Sequence, residues 1–117
     1  MSAADPAINP VALSGAEELP APVSGQRHEI GSTVGRLTYY SAGPEIPGKF
    51  PPLLLIHSIN AAGSAYEIKP LYEHFRQSRR VYALELPGFG HSQRGAREYS
   101  VRMMTDAILI AVGEIQK

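Results

Sequence analysis

Hydrophobic residues in this chain gather in short runs between turn-rich polar stretches. Leu53-Leu54-Leu55-Ile56, preceded by Pro51 and Pro52, is too short for a buried helix and predicts a strand covered on both faces. It delivers the chain into a polar loop beginning at His57, and open α/β sheets place their chemistry outside the carboxyl ends of such strands. Val81 to Leu84 is a second short apolar run and a second strand. Upstream, Arg27 to Ile30 and Arg36 to Ser41 predict a hairpin around Gly31, Ser32 and Gly35, with Leu37 and Tyr39 on one face and Thr38 and Tyr40 on the other. The stretch from Ser41 to Pro52 is rich in Gly and Pro and reads as a loop.

Helical spacing appears twice. Ser64 and Glu67 stand three apart in the pattern of a capping box, so a helical turn should begin at Ser64 and break at Pro70, where a second piece starts. Ile68, Leu71, Tyr72 and Phe75 form its apolar stripe. Strand, helix and strand in this order predict a right-handed parallel crossover. Ser100 can cap a last helix whose apolar side holds Val101, Met104, Ile108, Val112 and Ile115, widened by Met103, Ala107 and Ile110. A helix so apolar needs cover from more than this sheet.

The fold class is therefore α/β, with an N-terminal hairpin followed by parallel strands and crossover helices. Residues 1–25, with Pro6, Pro10, Pro20 and Pro22 among Ala, Ser and Gly, read as a disordered leader, which leaves 26–117 for the domain. That leader lacks the basic and apolar regions of a secretory signal. Eleven basic and eleven acidic side chains leave no net charge, which argues against nucleic-acid and anionic-membrane partners. The short cluster Arg76, Arg79 and Arg80 reads as a solvated helix end. The chain has no cysteine, so it has neither a disulfide framework nor a thiol nucleophile, and its histidines show no metal-ligand spacing. No metal or other cofactor is expected, and the balance points to a soluble, cytoplasmic protein.

Two loops carry a resemblance. A strand ending in His57-Ser58-Ile59-Asn60, then another ending in Leu86-Pro87-Gly88-Phe89-Gly90-His91-Ser92, resembles the N-terminal part of the α/β-hydrolase fold superfamily over roughly residues 27 to 117. Pro87 to Ser92 is similar to the family's Pro-Gly-x-Gly-x-Ser loop. The chain departs from the family in having Ser58 where Gly is usual and Glu85 where Asp is usual. The resemblance implies a partial α/β-hydrolase fold. It also implies that the Ile59 backbone NH belongs to an oxyanion hole, with Asn60 a candidate side-chain donor or substrate contact. His57, Ser58, Gly88, Gly90 and Ser92 would then organise the loops, and the adjacent His91 and Ser92 would not act as base and nucleophile.

The family's nucleophile sits on a Gly-x-Ser-x-Gly elbow, and no serine here has that setting. Ser92 has Gly90 before it but Arg94 after; Ser14 is flanked by Ala12 and Ala16, and Ser32 by Ile30 and Val34. The expectation is a truncated, esterase- or lipase-like hydrolase lacking nucleophile, acid and catalytic histidine, inactive alone and acting on a small ester-like substrate once completed. The alternative is a non-catalytic binding or assembly module built on the same fold. In either case strand 53–56 should be an open edge, available to a second chain or to self-association. A dinucleotide loop at Gly88 and Gly90 is disfavoured because Gln93 stands where the third glycine belongs.

Overall fold

The structure, a computed structural model, describes residues 20–46, 48–60 and 63–117. Strand β1 (Gln26–Ile30) pairs antiparallel with β2 (Leu37–Ala42), β2 pairs antiparallel with β4 (Val81–Glu85), and β4 pairs in parallel with β3 (Leu53–Ile56). The result is a mixed four-stranded sheet of order β1-β2-β4-β3. A 3-10 turn (Ala65–Ile68) and helix α1 (Lys69–Phe75) join β3 to β4, and helix α2 (Val101–Ile115) follows β4.

Alternation along the strands builds two cores. Leu37, Tyr39 and Leu84, with Leu54 and Ile56, face Met104, Ala107 and Ala111 of α2. Tyr40, Ala42, Val81 and Ala83, with Leu53 and Leu55, face Ile68 and Tyr72. The interior strand β2 is buried along its whole length, whereas all four residues of β3 are only half-buried. Both faces of β3 are packed as the apolar run predicts, but its outer edge has no partner strand among the described residues.

Several expectations need correction. Ser64 does cap the turn, accepting the Tyr66 N–H at 3.1 Å, but Glu67 reaches to Ser58 and not back to the cap, so the reciprocal half of a capping box is missing. The expected break beside Pro70 is present: the 3-10 turn ends at Ile68, and Pro70 stands in the first turn of α1, where its missing N–H leaves no bond unmade. Leu71 lies about 100° round the helix from the buried Tyr72 and faces solvent. Val101 is 82% exposed, because the buried stripe of α2 centres on Ala107 and Ala111, roughly a quarter-turn away. The two alanines carry no bulk to hold the helix off the sheet.

Two further corrections concern tethering. Residues 20–25 fall within the span read as a disordered leader, yet Pro22 and Val23 are buried; residues 1–19 lie outside the described residues. The Tyr72 hydroxyl donates to the Ser24 carbonyl at 2.9 Å, and the Ser24 N–H and hydroxyl donate to the Glu73 carboxyl group. Proline restricts the free segment beforehand, so docking it costs less entropy than a polar leader suggests. The arginines are not a solvated helix end. Arg79 donates to the Pro51 carbonyl at 2.8 Å and Arg80 to the Gly43 carbonyl at 2.8 Å, which ties the loop before β3 to the start of β4.

Candidate functional site

The parallel pair β3 and β4 ends on one side of the sheet, which brings the loop after Ile56 beside the loop after Glu85. His57 joins them. Its Nε2 accepts the Leu86 N–H at 3.1 Å, and because an amide only donates, the ring proton must sit on Nδ1, which then donates to the Ser58 carbonyl at 2.7 Å. The ring is buried and meets Phe89 edge-on at 5.0 Å. Both nitrogens are engaged with backbone, so His57 shapes the loop.

Ser58 carries a brace that glycine would lack. Its hydroxyl donates to Glu67 Oε1 at 2.9 Å and accepts the Asn60 side-chain amide at 2.6 Å, while its N–H reaches both Glu67 oxygens at 3.3 Å. The loop then closes through Gly63, whose N–H donates to the Asn60 carbonyl at 3.0 Å. A Cβ on Gly63 would lie 2.7 Å from the Ser58 carbonyl oxygen, so only glycine fits this turn. Between these fixed points Ile59 stands 61% exposed, and among the described residues its amide has no backbone acceptor. The Asn60 side chain is turned toward Ser58.

Glu85, fully buried, binds the other loop. Its Oε1 accepts the His91 N–H at 2.7 Å and the Tyr40 hydroxyl at 3.1 Å; its Oε2 accepts the Ala65 N–H at 3.0 Å. Gly90 adopts φ +53°, and a Cβ there would fall 2.0 Å from Oε2. Burial, and then the neighbouring Glu85 charge, pushes the Tyr40 hydroxyl well above the ordinary phenol range. His91 and Ser92 do not face one another. The His91 Nδ1 meets the Tyr40 hydroxyl at 2.9 Å, whereas the buried Ser92 hydroxyl accepts the Thr38 N–H at 2.8 Å and donates to the Glu85 carbonyl. Gly88, at φ +88°, lies against the Tyr99 ring.

Tyr99 is a part of this site that motif spacing does not mark, and Glu67, marked only as a capping-box residue, serves Ser58 instead. Nothing in the order of residues signals that the Glu67 side chain turns back nine positions to Ser58. Among the described residues no group of three or more His, Asp or Glu is placed to hold a metal, and no helix is long and apolar enough to cross a membrane. A separate cavity of about 490 Å³ lies at the other ends of β3 and β4, lined by Pro51, Pro52 and Arg80, and holds none of these residues.

A mixed sheet of order β1-β2-β4-β3, with two interlocked loops at the carboxyl ends of its parallel strands, is part of the α/β-hydrolase fold. No protein-family model and no curated protein matches the chain. Solved structures do. N-acyl homoserine lactonase AidH, complexed with N-hexanoyl homoserine lactone, is 27% identical, with a TM-score of 0.63 over 78% of this chain and 33% of its own. The Cif epoxide hydrolase from Acinetobacter nosocomialis is 23% identical, with a TM-score of 0.62 over 77% of this chain and 26% of its own. The deformylase Nfo from Pseudomonas putida is 21% identical, with a TM-score of 0.60 over 76% of this chain and 33% of its own. The chain spans a third or less of the length of each.

Proposed function

We propose that these residues form the oxyanion-stabilising half of a hydrolase of esterase type, and that the Ile59 amide is the donor. The observation that carries this is the locked loop after β3. His57 ties it to Leu86, and Glu67 ties it to the following turn. Ile59 is left outward between them. A fixed N–H favours the transition state because negative charge gathers on the carbonyl oxygen as it becomes tetrahedral, while the donor pays no reorganisation cost. The similar structures include a lactonase as well as epoxide hydrolases, and this reading takes the former, with a small ester or lactone as its substrate class.

The attacking group is not supplied by these residues, since no serine stands in a Gly-x-Ser-x-Gly setting. The 117-residue chain should leave an aryl ester at its background rate. Residues 20–117, exchanged into an active esterase of the same fold, should preserve hydrolysis. Within that chimera, Ile59→Pro, which deletes the N–H, should lower kcat about a hundredfold. An unchanged kcat would remove Ile59 from the oxyanion hole, and a chimera that folds but does not hydrolyse would favour the non-catalytic module.

A further inference from the structure

Beside Ile59 lies an open cavity of about 440 Å³, within the size range of small-molecule sites. Its walls include Ile59, Pro87, Phe89, Tyr99 and Met104, with Arg94 as the charged member. The Arg94 Nε is already committed to the Gly90 carbonyl at 3.0 Å. Of these walls only Met104 lies in a helix, yet the loop residue Tyr99 is fixed by three contacts. Its hydroxyl donates to the Gly95 carbonyl at 2.9 Å, the Arg97 guanidinium stacks on its ring at 5.3 Å, and its edge rests on Gly88. A Cβ at Gly88 would come within 2.7 Å of that ring, so the approach requires glycine. A loop aromatic held this firmly, while 38% exposed, is a prepared wall and not core filling.

We infer that this trough receives the apolar acyl portion of the substrate, and that Tyr99 is the residue that sets its preference for chain length. The inference rests on the oxyanion reading of Ile59, which would hold the carbonyl at the mouth while the hydrocarbon runs between Phe89 and Tyr99 toward Met104. A medium-length aliphatic acyl group suits the volume and a lining that is mostly apolar. Gly88 and Tyr99 act as positioning and specificity residues; neither is placed at a reacting atom.

The test uses the full chain, isotopically labelled, titrated separately with hexanamide and acetamide as unreactive acyl probes and followed by NMR. Hexanamide should bind at least about tenfold more tightly, the change expected if roughly two of its additional methylenes leave water. The Met104 methyl and Tyr99 ring resonances should move with hexanamide alone, and the Ile59 amide with both. Tyr99→Phe should keep the preference, and Tyr99→Ala should reduce it below about twofold. Because the wild-type titration stands by itself, a variant that fails to fold does not remove the test. Equal affinities, with the Ile59 amide still shifting, would overturn the trough and leave the oxyanion reading intact. Chain-length-dependent shifts at Met104 and Tyr99 without movement at Ile59 would support the trough and overturn the oxyanion donor.

Discussion

At Glu85 a single buried carboxyl group serves both loops. Its two oxygens accept backbone N–H groups from His91 on one side and Ala65 on the other, with the Tyr40 hydroxyl as a third donor. The resembled family usually has Asp here, and the extra methylene of Glu brings the carboxyl group against Gly90. Glu85→Gln presents an NH₂ to one of two backbone donors whichever way the amide is turned. The expected loss is about 3 kcal/mol in urea unfolding, because a buried donor is left facing a donor. Gly90→Ala should cost at least as much, since its Cβ would overlap the carboxyl group at a backbone angle that resists side chains. A loss below about 1 kcal/mol in either variant would mean that the loops are held without Glu85.

Elements were legible in the chain where a hydrophobic period survived into the fold. The four-residue run 53–56, the alternation from Leu37 to Tyr40 and the Ser100 cap each correspond to an observed element. What was not legible depends on where an element lands. Val101 fits the apolar stripe of α2, but the sheet meets that helix at Ala107 and Ala111, and Leu71 fits the stripe of α1, which turns inward on Tyr72 instead. Ser58 and Glu67 are ordinary loop and helix residues until folding sets them together. The segment 20–25 is the sharpest instance, since its composition is that of a linker while its anchors, Tyr72 and Glu73, lie 48 and 49 positions away.

That segment also carries a pH dependence of definite sign. Burial pushes the Tyr72 hydroxyl up to about 12 from an unfolded value of 10.0, so its contribution is complete below pH 10.0 and declines as pH rises toward 12. Burial alone would raise the Glu73 carboxyl, but hydrogen bonds from Ser24 and the nearby Arg76 outweigh it and hold the group below its ordinary 4.5. Its contribution is therefore complete above pH 4.5 and is lost as pH falls through the depressed value. Val23 methyl resonances should report a docked segment at neutral pH that loosens toward both extremes. Tyr72→Phe should abolish the alkaline arm and leave the acid arm in place, whereas an alkaline arm unchanged in Tyr72→Phe would assign it to another group.

Across the whole molecule, the strand bearing the candidate site is one of the two edge strands of the sheet, β1 being the other. The Leu53 N–H donates to the Arg80 carbonyl at 2.9 Å, and a parallel ladder alternates, so Leu53 and Leu55 direct their backbone groups to β4 while Leu54 and Ile56 direct theirs outward. The sheet order gives these outward groups no strand among the described residues. Four apolar residues with an open backbone edge are a template for strand addition. In a dilute monomer the Leu55 amide should exchange slowly, with Leu54 and Ile56 at least about tenfold faster. Raising the protein concentration, or adding a chain that supplies the neighbouring strand, should slow Leu54 and Ile56 selectively. Pairing there would also stiffen the root of the loop that holds Ile59, so slowed exchange should be accompanied by a sharper Ile59 amide resonance. If all three β3 amides are equally slow in the dilute monomer, the edge is covered from within the chain, and strand addition is not how the site is completed.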